Sequence, residues 1–276
     1  MPFDGAALLA FLSARAVPGV EETTACGYRR SLALAHGPAV VELVLQADHV
    51  EVTLLRGDAR DAGAAADACR RLLDLDRDPG PVAAHLGGDP LLAPLVHASP
   101  GRRVPGHPDG CELAVRAVLG QQVSVAAATK LAARLVAERG IPLPAPVGAV
   151  THLFPPAGVI AALDPEALPM PRSRGRTLVA VGAELAAGRL LLHPGADVSS
   201  SLAALLAVPG IGPWTAGYIA MRALRDPDAF IPGDAGVRRG LVALGCDPSP
   251  HEVERVSARW RPYRAYAVQH LWTLAA

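Results

Sequence analysis

The chain has 276 residues, 51% of them hydrophobic and 19% charged, and carries no formal net charge at pH 7. That length and apolar content support a buried core in about one to three domains. Repeat and low-complexity architectures are excluded, as is a membrane span, because no run of ~18 apolar residues occurs.

The charge is unevenly placed. Residues 1–100 hold eight Arg against 13 Asp/Glu, and residues 101–276 hold 17 Arg and one Lys against 13 Asp/Glu. The second part therefore carries a positive excess, which suits an anionic partner. The apolar stretch from Ala6 to Leu12 is short and follows Asp4, where an export signal would carry positive charge. Cys26, Cys69, Cys111 and Cys246 are far apart, with no spacing for zinc, an iron–sulfur cluster or a disulfide framework. A cytoplasmic chain is expected. Lys130 is the only lysine, so any lysine Schiff-base mechanism must use it.

Taken in order, Asp4 to Ala14 reads as an amphipathic helix. Tyr28 to Ala35, Ala39 to Ala47 and Val50 to Leu55 read as strands, with a turn at Ala47-Asp48-His49. Ala59 to Leu75 reads as a helix with Arg70 and Arg71 near its C-terminus. Beyond Asp89 the pattern is helical: 111–119, 123–139, 174–187, 199–206, 215–224, 236–244, 251–260 and 263–274. Pro/Gly punctuation separates these segments, including Ile141 to Pro146 and His193-Pro194-Gly195, and no strand is expected among them. The expected fold is α+β: an N-terminal antiparallel sheet with helices over 1–90, then an all-α domain over 91–276.

The most informative stretch is Val208-Pro209-Gly210-Ile211-Gly212-Pro213-Trp214-Thr215. A helix ends, a tight turn follows, and a new helix starts with Pro213 in its first turn. Gly210 and Gly212 can both take positive φ, and the open N–H groups of the new helix form a phosphate site. A dinucleotide fingerprint would need a preceding strand and a glycine where Thr215 stands. A plain loop between packed helices remains open on the turn alone. Trp214 and Tyr218 then lie four residues apart on one helix face. Further on, Pro232-Gly233-Asp234 precedes another helix, placing Asp234 at an N-cap. Asp234 is either a simple cap or a carboxylate held ionised beside the hairpin.

The hairpin, the Pro-Gly-Asp, the C-terminal run Tyr263-Arg264-Ala265-Tyr266-Ala267-Val268-Gln269-His270-Leu271-Trp272 and the upstream stretch from Val115 to Ala126, with Gly120-Gln121-Gln122 at its centre, resemble the helix–hairpin–helix DNA glycosylases of the AlkA type. The resemblance extends to Phe11-Leu12-Ser13-Ala14-Arg15-Ala16-Val17 and so spans nearly the whole chain. It implies two helical lobes flanking a cleft in the 91–276 domain. It also implies hydrolysis of the bond between an N3- or N7-methylated purine and deoxyribose in double-stranded DNA, in base excision repair. Asp234 would be the catalytic carboxylate, stabilising an oxocarbenium-like cation.

The resemblance places Trp214, Tyr218, Trp272 and Phe11 at the base pocket, and Pro209, Gly210, Ile211, Gly212 and Thr215 in the DNA-binding hairpin. Gln122 would be the wedge filling the gap left by the flipped nucleotide, where some relatives carry an apolar residue. Trp260, Tyr263 and Tyr266 read as ordinary core. Superfamily members that cut the strand carry a lysine where Trp214 stands, so base removal without lyase activity is implied. No cofactor is required on this reading. A monovalent cation, Na+ or K+, would sit on main-chain carbonyls of Leu206, Val208 and Ile211 when DNA is bound. A monomer with no membrane partner is expected. Two alternatives stay open: the same fold acting on deaminated bases, and a non-catalytic protein that binds damaged DNA.

Overall fold

The computed structural model describes residues 2–275, apart from 26, 47, 48 and 194. The turn expected at 47–48, Cys26 and the proline at 194 therefore lie outside the described residues.

The chain opens with α1 (Gly5–Ser13), which Asp4 caps by accepting the Ala7 N–H. Strands β1 (Glu21–Thr23), β2 (Gly27–Leu34), β3 (Gly37–Leu45) and β4 (Val50–Arg56) follow. They form one antiparallel sheet in the order β1-β2-β3-β4. Side chains alternate between its faces. Tyr28, Leu32, Val41 and Leu43 pack against Leu8 and Leu12 of α1 and against Ala65, Cys69 and Leu72 of α2 (Ala62–Leu72). The expected helix over 59–75 begins instead as a short 3-10 turn at Ala59–Asp61, and ends at Leu72.

Helices α3 (Pro79–Gly87) and α4 (Ala93–Ala98) come next and carry the chain away from the sheet. Helix α5 (Gly110–Leu119) is the centre of the second body: Leu113, Ala114, Val115, Ala117, Val118 and Leu119 are all buried. It is followed by α6 (Val125–Arg139), β5 (Ile141–Val147), β6 (Val150–Leu153), α7 (Ala157–Ala161), α8 (Arg172–Ala186) and α9 (Val198–Ala207). Then come α10 (Pro213–Arg222), α11 (Ala235–Ala243), α12 (Pro250–Ser257) and α13 (Arg264–Thr273). Trp260 and Tyr266 are core residues, as the sequence suggests. No helix among the described residues is long and apolar enough to cross a membrane.

The hairpin β5–β6 corrects the expectation of an unbroken helical half. Residues 141–147 alternate Ile, Leu, Ala and Val with three prolines, which in the sequence alone read as punctuation. Proline cannot donate to a ladder and so fits an edge strand. The hairpin folds back onto the N-terminal sheet, where the Ser31 hydroxyl donates to the His152 carbonyl at 2.7 Å and Gly19 bridges Val150. Leu143, Val150 and Leu153 bury against Val40.

A buried ionic cluster joins the sheet to the helices. Arg30 of β2 donates to Glu112 of α5 at 2.7 Å and to Glu21 at 3.1 Å. Arg116 donates to Glu112 at 2.8 Å, to Glu21 at 3.0 Å and to the Arg15 carbonyl at 2.6 Å. Burial alone would raise both carboxyls, but Arg116 and Arg30 outweigh it at Glu21, and Arg30, His107 and Arg116 outweigh it at Glu112, holding both below their ordinary values. His107 completes a cluster of possible metal-ligating atoms with Glu21 and Glu112. Arg30 and Arg116 already supply the positive charge those carboxylates need. Through the Arg15 carbonyl, the cluster also fixes the end of α1, which the site uses.

Candidate active site

Four segments converge on one cleft of about 1460 Å³. The first is α10. Trp214, Tyr218 and Arg222 recur every four residues, so one face of the helix carries all three. The Trp214 and Tyr218 rings are stacked, with centroids 5.4 Å apart and planes 5° from parallel. The second and third are α1 and α13, which place Phe11 and Trp272 near-parallel at 6.2 Å and 12°.

The fourth is the start of α11. Asp234 is its N-cap: Oδ1 accepts the Val237 N–H at 2.8 Å. The same oxygen accepts the Trp272 indole N–H at 2.8 Å, and Oδ2 accepts the Trp214 indole N–H at 3.0 Å. One half-buried carboxylate thus ties together both aromatic pairs. Simple capping uses one of these bonds. The two indole bonds come from helices distant in sequence and orient the carboxylate toward the cleft. Gly236 makes this approach possible, because a Cβ there would stand 2.6 Å from the Trp272 ring.

The hairpin between α9 and α10 borders the same cleft through Gly210, Gly212 and Thr215. Gly210 has φ +89°, and a Cβ on it would lie 2.0 Å from the Thr177 hydroxyl. Only glycine fits there. Gly212 does not use the positive φ open to it: it is extended, with φ −97° and ψ 175°, as the N-cap of α10. It needs no left-handed freedom. Its lack of a side chain leaves the start of α10 uncovered. Pro209 is exposed and its carbonyl accepts from Thr177 at 2.9 Å, whereas Ile211 is buried and anchors the turn in the core. Among the carbonyls expected to hold a cation, that of Val208 accepts the Ile211 N–H at 3.0 Å. Leu206 is exposed at the end of α9.

The cleft also holds charge that the sequence motifs do not indicate. The Arg15 guanidinium lies 3.8 Å from the Phe11 ring centroid, and that of Arg222 lies 4.9 Å from it and 5.6 Å from the Tyr218 ring. Arg222 is fixed by the Pro105 and Gly106 carbonyls at 2.8 and 2.9 Å and donates to the Tyr218 hydroxyl at 2.8 Å. Burial pushes the Tyr218 phenol up, but Arg222 and Arg15 more than reverse this and leave it below its ordinary value. Burial, with Arg222 and Arg116 nearby, lowers the Arg15 guanidinium despite its contact with Tyr218. Two of the four rings are therefore already faced by cations. The available signal was spacing: Arg15 is four residues after Phe11, and Arg222 four after Tyr218.

Gln122 lines the cleft from the α5–α6 turn, exposed and with φ 57°. Gln121 beside it donates to the hairpin, a contact that sequence did not indicate. Lys130 is exposed on α6, outside the lining of the cleft. Cys69, Cys111 and Cys246 are unpaired.

The architecture is that of the helix–hairpin–helix glycosylases. A 3-methyladenine DNA-glycosylase structure from Archaeoglobus fulgidus superposes with a TM-score of 0.83 at 21% identity, covering 99% of this chain and 95% of that one. A Clostridium acetobutylicum 8-oxoguanine glycosylase/lyase gives 0.72 at 18% identity, covering 94% and 89%. At these identities the likeness concerns the fold alone.

Sequence comparison goes further. The AlkA N-terminal domain family matches residues 1–109. DNA-3-methyladenine glycosylase 2 of Escherichia coli is 35% identical over 279 residues, covering 98% of this chain and 94% of that protein. The chain belongs to the AlkA family of DNA-3-methyladenine glycosylases. A Mycobacterium tuberculosis protein named as a probable bifunctional transcriptional activator/DNA repair enzyme AlkA is 47% identical over 272 residues. The chain spans 55% of that relative's length.

Proposed function

We propose that this chain excises N3- and N7-methylated purines from double-stranded DNA by hydrolysing the N-glycosidic bond, as a step of base excision repair. The observation that carries the reading is the Asp234 carboxylate, held by two indole N–H groups and a helix N-terminus between two aromatic pairs. A carboxylate so oriented stabilises the cation that forms on the sugar as the base departs, and can direct a water to it. A methylated purine already carries positive charge and leaves readily, so no second carboxyl acid is required. The uncovered start of α10 offers N–H groups to the DNA backbone.

Release proceeds without strand cleavage on this reading, because Trp214 occupies the position of the superfamily's lyase lysine. A monovalent cation would bind the carbonyls of Leu206, Val208 and Ile211 with DNA in place. A cytoplasmic monomer completes the proposal. The test is release of free 3-methyladenine and 7-methylguanine from methylated duplex DNA. A folded protein that binds duplex but releases neither refutes it.

A second reading, excision of deaminated bases, is favoured by Arg15. Its guanidinium, 3.8 Å from the Phe11 ring centroid, is a cation that disfavours a positively charged methylated purine relative to neutral hypoxanthine. Comparing release from methylated and deaminated duplexes separates the two.

A further inference from the structure

The turn between α5 and α6 is not self-supporting. Gln122 has φ 57°, a left-handed conformation that is disfavoured for a residue with a Cβ. Such a conformation persists only where neighbours over-determine it. The neighbouring contact here is Gln121, whose carboxamide Nε2 donates to the Gly210 carbonyl at 3.0 Å and to the Thr215 hydroxyl oxygen at 3.1 Å. The two protons of one amide thus span the hairpin tip and the first turn of α10. On the α5 side, the Gln121 N–H donates to the Val118 carbonyl at 3.2 Å. On the α6 side, Ser124 caps the helix by accepting the Ala127 N–H at 3.2 Å. Gln122 and Val123 are exposed between these two fixed points. The hairpin is itself braced by Thr177, so the turn is tied to something rigid.

We propose that Gln121 is a positioning residue: it locks the α5–α6 turn to the hairpin and holds Gln122 in its left-handed conformation at the cleft. The segment that grips the DNA backbone and the segment that enters the duplex then move as one body. Gln121 has no bond to Asp234, so its effect passes through the backbone of residue 122. The assignment rests on the glycosylase reading above and adds to it the side chain that aligns the two DNA-contacting loops.

The test compares wild type, Gln121→Ala, Gln122→Gly and the double variant. Three quantities are measured: single-turnover release of 7-methylguanine, affinity for undamaged duplex, and melting temperature. Gln121→Ala should melt within a few degrees of wild type and bind undamaged duplex within about twofold, because the open N–H groups of α10 are untouched. Its single-turnover rate should fall about tenfold, in line with the loss of two hydrogen bonds. Glycine at 122 needs no anchor, so the double variant should be no more than about twofold slower than Gln122→Gly alone. A wild-type rate in Gln121→Ala overturns the assignment. So does a rate loss matched by an equal loss of duplex affinity, or losses that multiply in the double variant. A wild type that releases no base overturns the functional reading and this assignment with it.

Discussion

Replacing Asp234 with Asn separates charge from geometry. The carboxylate accepts three N–H groups, from Val237 and Trp272 at 2.8 Å and from Trp214 at 3.0 Å. An Asn oxygen turned toward Val237 and Trp272 keeps the cap, and Asn caps helices as well as Asp does. Its amide group then faces the Trp214 N–H, donor against donor. Trp214 is half-buried, so water can take up that N–H and the fold should lose only about 1 kcal/mol. The chemical effect is larger. A unit negative charge ~4 Å from a developing cation, at an effective dielectric constant near 20, is worth about 4 kcal/mol. At ~1.4 kcal/mol per decade, this corresponds to a loss of roughly 10²–10³ in rate. The assay is single-turnover release of methylated purines, with circular dichroism and duplex affinity recorded on the same preparation. A folded, DNA-binding Asp234→Asn that keeps its rate within tenfold refutes the reasoning and reduces Asp234 to a cap.

Three other outcomes are expected. Borohydride added during turnover should trap no protein–DNA adduct, since Lys130 is exposed on α6 and does not line the cleft; a trapped adduct lost in Lys130→Arg would contradict this. Burial, aided by Arg102 and opposed by Asp4, lowers the His270 imidazole to about 4. The unfolded chain then binds the extra proton first, so folding stability contributed by this group is complete above pH ~6.5 and is lost as pH falls toward 4, by up to about 3 kcal/mol. Urea titrations at several pH values should show a flatter dependence in His270→Gln, and an identical one would refute the assignment. Arg30→Met leaves Glu21 and Glu112 to share Arg116, and should lower stability by about 3–5 kcal/mol in urea unfolding; a change under 1 kcal/mol would show that the cluster is not load-sharing.

Much of the fold was legible because its signals are local. The strands at 27–34, 37–45 and 50–56 follow alternation and β-branched composition, and α5, α8 and α10 follow apolar periodicity, with Pro213 opening α10. The β5–β6 hairpin was not legible. Its prolines are permitted only because the strand is an edge, and edge status depends on what lies beside it. Which of the two hairpin glycines uses positive φ was not legible either, for a related reason. A glycine allows that conformation without requiring it, and the course of the chain into α10 determined the outcome.

The site divides along the same line. Sequence by itself determined the chemistry available: one lysine, a Pro-Gly-Asp at a helix start, a Gly-x-Gly turn and aromatics crowded into the last third of the chain. Each of these depends on residue identity and short spacing, which a linear reading contains. Only the tertiary structure decided that Trp214 and Trp272 both donate to Asp234, that Arg15 and Arg222 share the aromatic faces, and that Gln121 reaches the hairpin. These contacts join α1, the α5–α6 turn, α10, α11 and α13 across most of the chain. Their geometry is set by the packing of those helices against one another, through glycines such as Gly236 and the buried ionic cluster, and no local pattern encodes it.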